Sequence, residues 1–425
     1  MDAGGAGNVR GALRSAGLGV RRLCLLALAL ALTGCATPGD DDAAQQLHQD
    51  ILTLDAHVDF PLSALSEQDL ATDTTLAFDL PKMQAGGVDG AFFVLYTPQG
   101  ETSPEGYAQA REIAGTRLRI IRGLVDGNPD KITLATCAED VPRLAQSGQK
   151  IALIGMENAY PLGDSVAPAA DWAAHGVRYM GITHWGHNQF GDSSNPNFQY
   201  DRGPRHGGLS PLGEDLIRAL NAHGILIDIS HASKDTVMQA LALSEAPVIA
   251  SHSGAKGVTD TARNLDDEQL RAIAASGGVV NMLSYAANVK ALTAEQEQFR
   301  TALRRDMGIP DSPEYTMPLE IEIDYNQRLL GMYEIEPIAS VADYVDHVDY
   351  MVSLIGVDHV GISSDFDYVD DTGRISGWYD ATQSAAITRE LLSRGYSKSD
   401  IAKLWGANML RALAEAEAIA AHAPC

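Results

Sequence analysis

Cysteine and positive charge are both scarce in this chain. Four cysteines occur in 425 residues, and two of them, Cys24 and Cys35, fall in the N-terminal segment. Cys137 and Cys425 remain. Two distant cysteines build neither a disulfide framework nor a zinc ribbon. A single Cys137–Cys425 bridge would suit an oxidising compartment, and the sequence leaves that pairing open. Lysine and arginine total 31 against 56 aspartates and glutamates, a formal charge of −25. That balance repels a phosphate backbone, so no nucleic-acid partner is expected. The N-terminal apolar run, Leu23 to Leu32, is too short to span a bilayer. No internal repeat or low-complexity block follows it.

That short run has other neighbours. Arg21 and Arg22 precede it and Thr33-Gly34-Cys35 follow it, the order of a secretory signal. Leu32-Thr33-Gly34-Cys35 looks like a bacterial lipobox. It implies cleavage before Cys35, lipidation of that cysteine and a membrane-anchored protein of the cell envelope. Ala36 in the next position points to the outer membrane or its periplasmic face in a Gram-negative host. Removing residues 1–34 takes away four arginines and one aspartate, moving the charge from −25 to −28. The expected division is a signal peptide over 1–34, a lipidated cysteine and flexible tether over 35–47, and one catalytic domain over 48–425. The tether reading rests on Pro38-Gly39-Asp40-Asp41-Asp42.

Eight apolar runs punctuate the rest: Ile51–Asp59, Val88–Tyr96, Ile151–Glu157, Val177–His184, Ile225–His231, Pro247–His252, Gly278–Leu283 and His359–Asp365. Helical periodicity fills most gaps between them, as in Gly106–Val125, Glu214–Ala222, Asp266–Ala275 and Val341–Leu354. Strand and helix alternating eight times predict an α/β fold, a (β/α)8 TIM barrel. A doubly wound open sheet is the structural alternative. One connection is long. Between runs seven and eight, helical stretches at Thr293–Arg305 and Glu320–Met332 predict an inserted helical cap at about 285–338. The Ala-rich stretch Lys398–Ala421 predicts a last helix on the barrel exterior.

The polar residues fall at the ends of the runs, where such a barrel carries its chemistry. Run one ends in His57 and Asp59, run three in Glu157, run four in His184, run five in His231, run six in His252, and run eight in Asp365, with Asp367 beyond. A histidine closing an apolar run is costly to bury unless something satisfies it. Four of them converging with carboxylates predict a metal centre. His57, Asp59, Glu157, His231 and His252 would hold two Zn2+ ions per chain, with Glu157 as the bridge. A bridging water of lowered pKa would then be the nucleophile. The chain has twelve histidines. His48, His175, His223 and His422 read as solvated, His206 as loop-borne, and His347 and His359 as lying away from the active face. His187 is a candidate for lining the pocket.

Several motifs together resemble the renal, or membrane, dipeptidase family of metallopeptidases, within the amidohydrolase-type barrels. They are Leu54-Asp55-Ala56-His57-Val58-Asp59-Phe60-Pro61, Thr183-His184 with Asn188 and Asp192-Ser193, Ile227-Asp228-Ile229-Ser230-His231-Ala232-Ser233, Ile249-Ala250-Ser251-His252-Ser253, Ala262-Arg263-Asn264-Leu265, and Val360-Gly361-Ile362-Ser363-Ser364-Asp365-Phe366-Asp367. The resemblance covers roughly Asp50 to Leu413. It implies a zinc-dependent dipeptidase. His57, Asp59 and Glu157 would hold one ion and Glu157, His231 and His252 the other. His184 would contact the substrate carbonyl, Arg263 would bind the dipeptide's terminal carboxylate, and Asp365 would move protons. It also implies a homodimer as a common state, and it leaves open whether the C-terminal residue is L or D.

This chain departs from the family in places. Ala56 stands where the family often has Gly, and Val58 where it often has Asn. The connection between runs seven and eight is long for the family. Related binuclear hydrolases acting on N-acyl amino acids, lactones or phosphoesters are the functional alternative. Many of those relatives bridge their metals with a carboxylated lysine after strand four. Here Thr183-His184 occupies that position, which favours the dipeptidase branch.

Overall fold

Short stretches of apolar and small residues form nine parallel strands in one sheet. They are β1 (Leu54–Val58), β2 (Gly90–Tyr96), β3 (Ile132–Leu134), β4 (Lys150–Glu157), β5 (Val177–Gly181), β6 (Leu226–Asp228), β7 (Val248–Ala250), β8 (Val279–Met282) and β9 (Val360–Ile362). Their order is β1-β2-β4-β5-β6-β7-β8-β9, with β3 paired to β4 off that path. The ring is drawn together by a parallel bridge between Val58 and Phe366. At the same seam Asp365 N donates to His57 O (3.1 Å) and Asp59 N to Phe366 O (3.0 Å). This is the expected (β/α)8 barrel, and each expected run matches one barrel strand, β4 starting one residue before its run. The strand β3 was not expected, because Ile132-Thr133-Leu134 is too short to show a period. The structure, a computed structural model, describes residues 38–62, 69–197, 199–310, 312, 317, 319–336, 339–367 and 373–422. The signal segment, Cys35 and Cys425 lie outside the described residues. Cys137 is disulfide-bonded.

Alternate residues of each strand face two separate apolar layers, as period-2 geometry demands. Phe92, Val94, Ile151, Leu153 and Tyr179 belong to one layer. Ala91, Phe93, Leu95, Ala152, Ile154 and Met156 belong to the other, with helix residues such as Ile120, Ile121, Leu216 and Leu220. The first layer is the barrel interior. The surrounding helices start where the sequence supplies a cap. Ser103 and Ser210 each cap a helix with proline in its first turn, Pro104–Gly127 and Pro211–Ala222. Asp266 and Gln269 form a reciprocal capping box at Asp267–Ala275. Between β8 and β9 the chain runs through helices Ala286–Val289, Ala294–Asp306, Leu319–Leu329 and Val341–Ile355.

Three expectations are corrected here. Residues 38–47 are not a tether but part of the helix Pro38–Asp50. Ala44, Leu47 and His48 are buried, and their i, i+3, i+4 spacing gives that helix an apolar face. His48, read as solvated, is wholly buried. Its Nδ1 lies 2.8 Å from Thr388 Oγ1, and its ring meets Trp405 edge-on. The C-terminal helix is not an exterior element. Met409, Ala412, Leu413 and Ala416 join the interior layer. The stretch is also interrupted by a π-type turn at Lys403–Ala407, where Gly406 takes φ 157°.

Candidate metal centre

Each candidate ligand stands at the C-terminal end of a barrel strand or just beyond it. β1 pairs irregularly with β2 between Asp55 and Val58, and His57 within that stretch comes together with Asp59 just past it. His57 Nε2 lies 3.4 Å from Asp59 Oδ2 and 3.7 Å from Glu157 Oε2. Glu157 closes β4. Its Oε1 lies 3.0 Å from His231 Nε2 and 3.2 Å from His252 Nε2. The two carboxylate oxygens of Glu157 thus face two different histidine groups. His184 Nε2 is 3.9 Å from Glu157 Oε1, and Asp365 Oδ1 is 3.9 Å from His57 Nε2. Three clusters emerge with ligand atoms within 4.8 Å of one another: His57, Asp59 and Glu157; Glu157, His231 and His252; and His57, His252 and Asp365. All five predicted ligands, with His184 and Asp365, therefore meet in one place, and all are buried.

Burial and the backbone around this cluster suit a cation. Both carboxylate oxygens of Asp59, His57 Nε2 and Glu157 Oε1 are buried atoms with no hydrogen-bond partner. A buried carboxylate left without donors costs several kcal/mol unless a cation compensates it. Imidazole nitrogens and carboxylate oxygens at one point form a donor set suited to zinc. The residues present thus fit a metal centre. Among the described residues, four non-glycine residues take positive φ: Asn158 (75°), His231 (66°), Asp365 (56°) and Asp367 (66°). All four follow strand ends, and strained backbone of this kind gathers at functional sites.

The electrostatics follow from that crowding. Burial opposes the charged imidazole of His57, yet Glu157 and Asp59 raise its pKa well above the ordinary value. Burial, together with Arg263 and His184, holds His231 well below it. His252 is likewise held low by burial, His57 and Arg263. Burial lowers His184 to about 4 and raises Asp365 to about 8. Glu157 resists burial and is pulled well down by the surrounding histidines.

Arg263 is buried beside the centre. Its Nη1 donates to Ser253 Oγ (2.6 Å) and its Nη2 to His252 O (2.5 Å). A small cavity of about 100 Å³ adjoins it, lined in part by His231, Lys234, Lys256 and Arg263. The ring of His184 is flanked edge-on by Tyr96 at 4.7 Å and in parallel by Trp185 at 6.4 Å. Trp185 is 49% exposed. His187, a candidate for the pocket lining, instead accepts from Ser193 N (3.0 Å) and lies 3.6 Å from Asp192. It helps hold the loop after β5. Sequence reasoning gave no role to Tyr179, Asp228 and Ser251, although all three reach the centre from behind. The available signal was Asp228, which ends an apolar strand as the ligands do.

The sequence pattern of one family fits residues 41–424: membrane dipeptidase, peptidase family M19. This chain belongs to the membrane dipeptidase family. A dipeptidase of Clonostachys rogersoniana, verJ, is 30% identical over 389 residues, covering 88% of this chain and 87% of its own. Dipeptidase 3 of Mus musculus is 26% identical and is matched over 67% of its length. Among solved structures, the probable dipeptidase PvdM from Pseudomonas aeruginosa is 35% identical. It superposes with a TM-score of 0.83 over 90% of this chain and 100% of that one. As a member of the membrane dipeptidase family the chain is a metallopeptidase of the dipeptidase type. Among the described residues, no helix is long and apolar enough to cross a membrane.

Proposed function

We propose that this chain hydrolyses the peptide bond of dipeptides at a centre of two zinc ions that share Glu157. One observation carries the reading. The two oxygens of Glu157 divide between His231 and His252 on one side and His57 on the other. His57, Asp59 and Glu157 would hold one ion, and Glu157, His231 and His252 the other. When bound, such a pair supplies Lewis-acid polarisation of a carbonyl and a water that ionises near neutral pH.

The chain's own residues do the rest. His184, kept neutral by burial, offers an N–H to the carbonyl oxygen as negative charge develops there. Asp365, whose ionised form a neighbouring cation favours, accepts a proton from the attacking water and delivers it to the leaving amine. Arg263, held by Ser253 and His252 O, pairs with the substrate's terminal carboxylate. A carboxylate fixed at one distance from the reacting bond restricts the substrate to two residues. The test is amino-acid release by the zinc-loaded chain from L-Xaa-L-Xaa and L-Xaa-D-Xaa dipeptides, matched tripeptides and C-terminal amides. Cleavage of free dipeptides alone supports the reading, and the D-series reports stereochemistry. Two metals bound without cleavage of any dipeptide would transfer the site to N-acyl amino acids, lactones or phosphoesters.

The lipobox supports a second proposal, that Cys35 carries the lipid that anchors the protein in the cell envelope. Mass spectrometry of the mature N-terminus, with Cys35→Ala as the control, tests it. Sedimentation of the lipid-free protein reads whether the chain forms the homodimer expected from its family.

A further inference from the structure

Behind the ligands lies a buried hydrogen-bond network whose proton directions can be deduced. Asp228 Oδ1 accepts from Ser230 N (3.0 Å) and Ser251 N (2.8 Å). Its Oδ2 accepts from Ser251 Oγ at 2.6 Å. A serine hydroxyl has one proton, and here it points at the carboxylate. The lone pairs of Ser251 Oγ are left to accept. Two imidazole nitrogens face them: His252 Nδ1 at 2.8 Å and His57 Nδ1 at 3.3 Å. Both must therefore be Nδ1–H donors. Tyr179 repeats the logic on His57. Its hydroxyl donates to Ala56 O (3.3 Å) and stands 3.0 Å from His57 Nδ1. In the neutral form of each histidine, the form that can hold a metal, the other nitrogen, Nε2, then turns an unprotonated lone pair toward Glu157 and the centre.

We propose that Asp228 and Ser251 are positioning residues that set the tautomer of one ligand in each half of the metal pair, His57 and His252, with Tyr179 as a second acceptor for His57 alone. One hydroxyl thus governs both halves. His231 has no such support, because its Nδ1 is a buried atom without a hydrogen-bond partner. Its orientation comes from a backbone at φ 66°. The proposal rests on the site holding metal, but it does not depend on what the enzyme cleaves.

Asp228→Asn separates this role from packing. Two backbone amides fix the amide oxygen in the Oδ1 position, so the new NH2 lies against Ser251 Oγ. The hydroxyl must then accept from Asn and turn its single proton toward one imidazole, His252 Nδ1 at 2.8 Å being the nearer, which forces the wrong tautomer there without changing volume. Zinc affinity measured by chelator competition should fall about 10- to 100-fold for the equivalent held by His252 in Asp228→Asn and in Ser251→Ala, with a smaller loss for the one held by His57, which keeps Tyr179. Tyr179→Phe should weaken only the equivalent held by His57. In the cobalt-substituted wild type, the ring N–H protons of His57 and His252 should give slowly exchanging shifted proton lines, and Ser251→Ala should lose the line of His252 while Tyr179 retains that of His57. Zinc affinity in Asp228→Asn within twofold of wild type would overturn the proposal, as would equal loss from both equivalents in Tyr179→Phe. If Ser251→Ala fails to fold, the other two variants still decide. A wild type that binds two zinc ions but cleaves no dipeptide would sink the dipeptidase reading and leave this test intact.

Discussion

Arg263 Nη1 donates to Ser253 Oγ at 2.6 Å, which aims a buried guanidinium from the residue immediately after the candidate ligand His252. The side chain is thus prearranged for a carboxylate. Arg263→Lys keeps the charge and loses the fork. KM for dipeptides should rise at least tenfold with zinc content unchanged, while the slow cleavage expected of C-terminal amides should change little. Equal losses on acids and amides would remove Arg263 from carboxylate binding.

Asp365 is the buried carboxylate assigned to proton movement. Asp365→Asn should retain two zinc ions per chain and lower kcat by about 100- to 10,000-fold. Metal analysis and initial rates on the same sample decide it. Wild-type turnover would exclude the role, and loss of metal would make Asp365 a ligand.

Glu157 spans both groups of histidines. Glu157→Gln removes the charge with little change of shape, and it should leave fewer than two zinc ions per chain by elemental analysis. A full complement of tightly held metal would show that the histidines and Asp59 suffice.

Metal should also stabilise the fold, because its ligands come from β1, β4 and the segments after β6 and β7. Free zinc at 100 times its Kd adds about 2.7 kcal/mol to the folded state. Chelation should lower Tm, and added zinc should restore it. An unchanged Tm would mean that metal binds folded and unfolded chains alike.

His48 makes a pH prediction away from the site. Burial lowers its pKa from 6.5 to about 4. Between those values the unfolded chain binds the extra proton, so stability rises with pH. The contribution is complete above 6.5 and is lost as pH falls toward 4, at most about 3 kcal/mol. In metal-free protein, urea unfolding of His48→Gln should show a flatter acid slope than wild type. Parallel slopes would refute it.

The barrel was legible because its strands are fully buried runs bounded by turns, and every run that ended in His, Asp or Glu delivered that residue to the centre. Local pattern was blind elsewhere. The acidic stretch at 38–42 hid the buried face formed by Ala44, Leu47 and His48. The alanines of the last helix gave no sign that Met409 and Leu413 enter the barrel. The links among Asp228, Ser251 and Tyr179 join three strands, and residue spacing along one strand says nothing about its neighbours. Asp367 was legible as a polar strand-end residue but not as an anchor, since it accepts from Ala77 N and Phe78 N, 290 and 289 residues away.

The seam between the first and last strands has a bearing on synthesis. All five candidate ligands are translated by residue 252, but Asp365 emerges only after the long helical passage from β8 to β9. Its amide then closes on His57 O. A nascent chain therefore carries the whole candidate ligand set well before it has the carboxylate proposed to move protons. Joining the last strand to the first completes the ring of strands and the reaction apparatus in one event, so an unfinished or clipped chain could hoard metal yet cleave nothing.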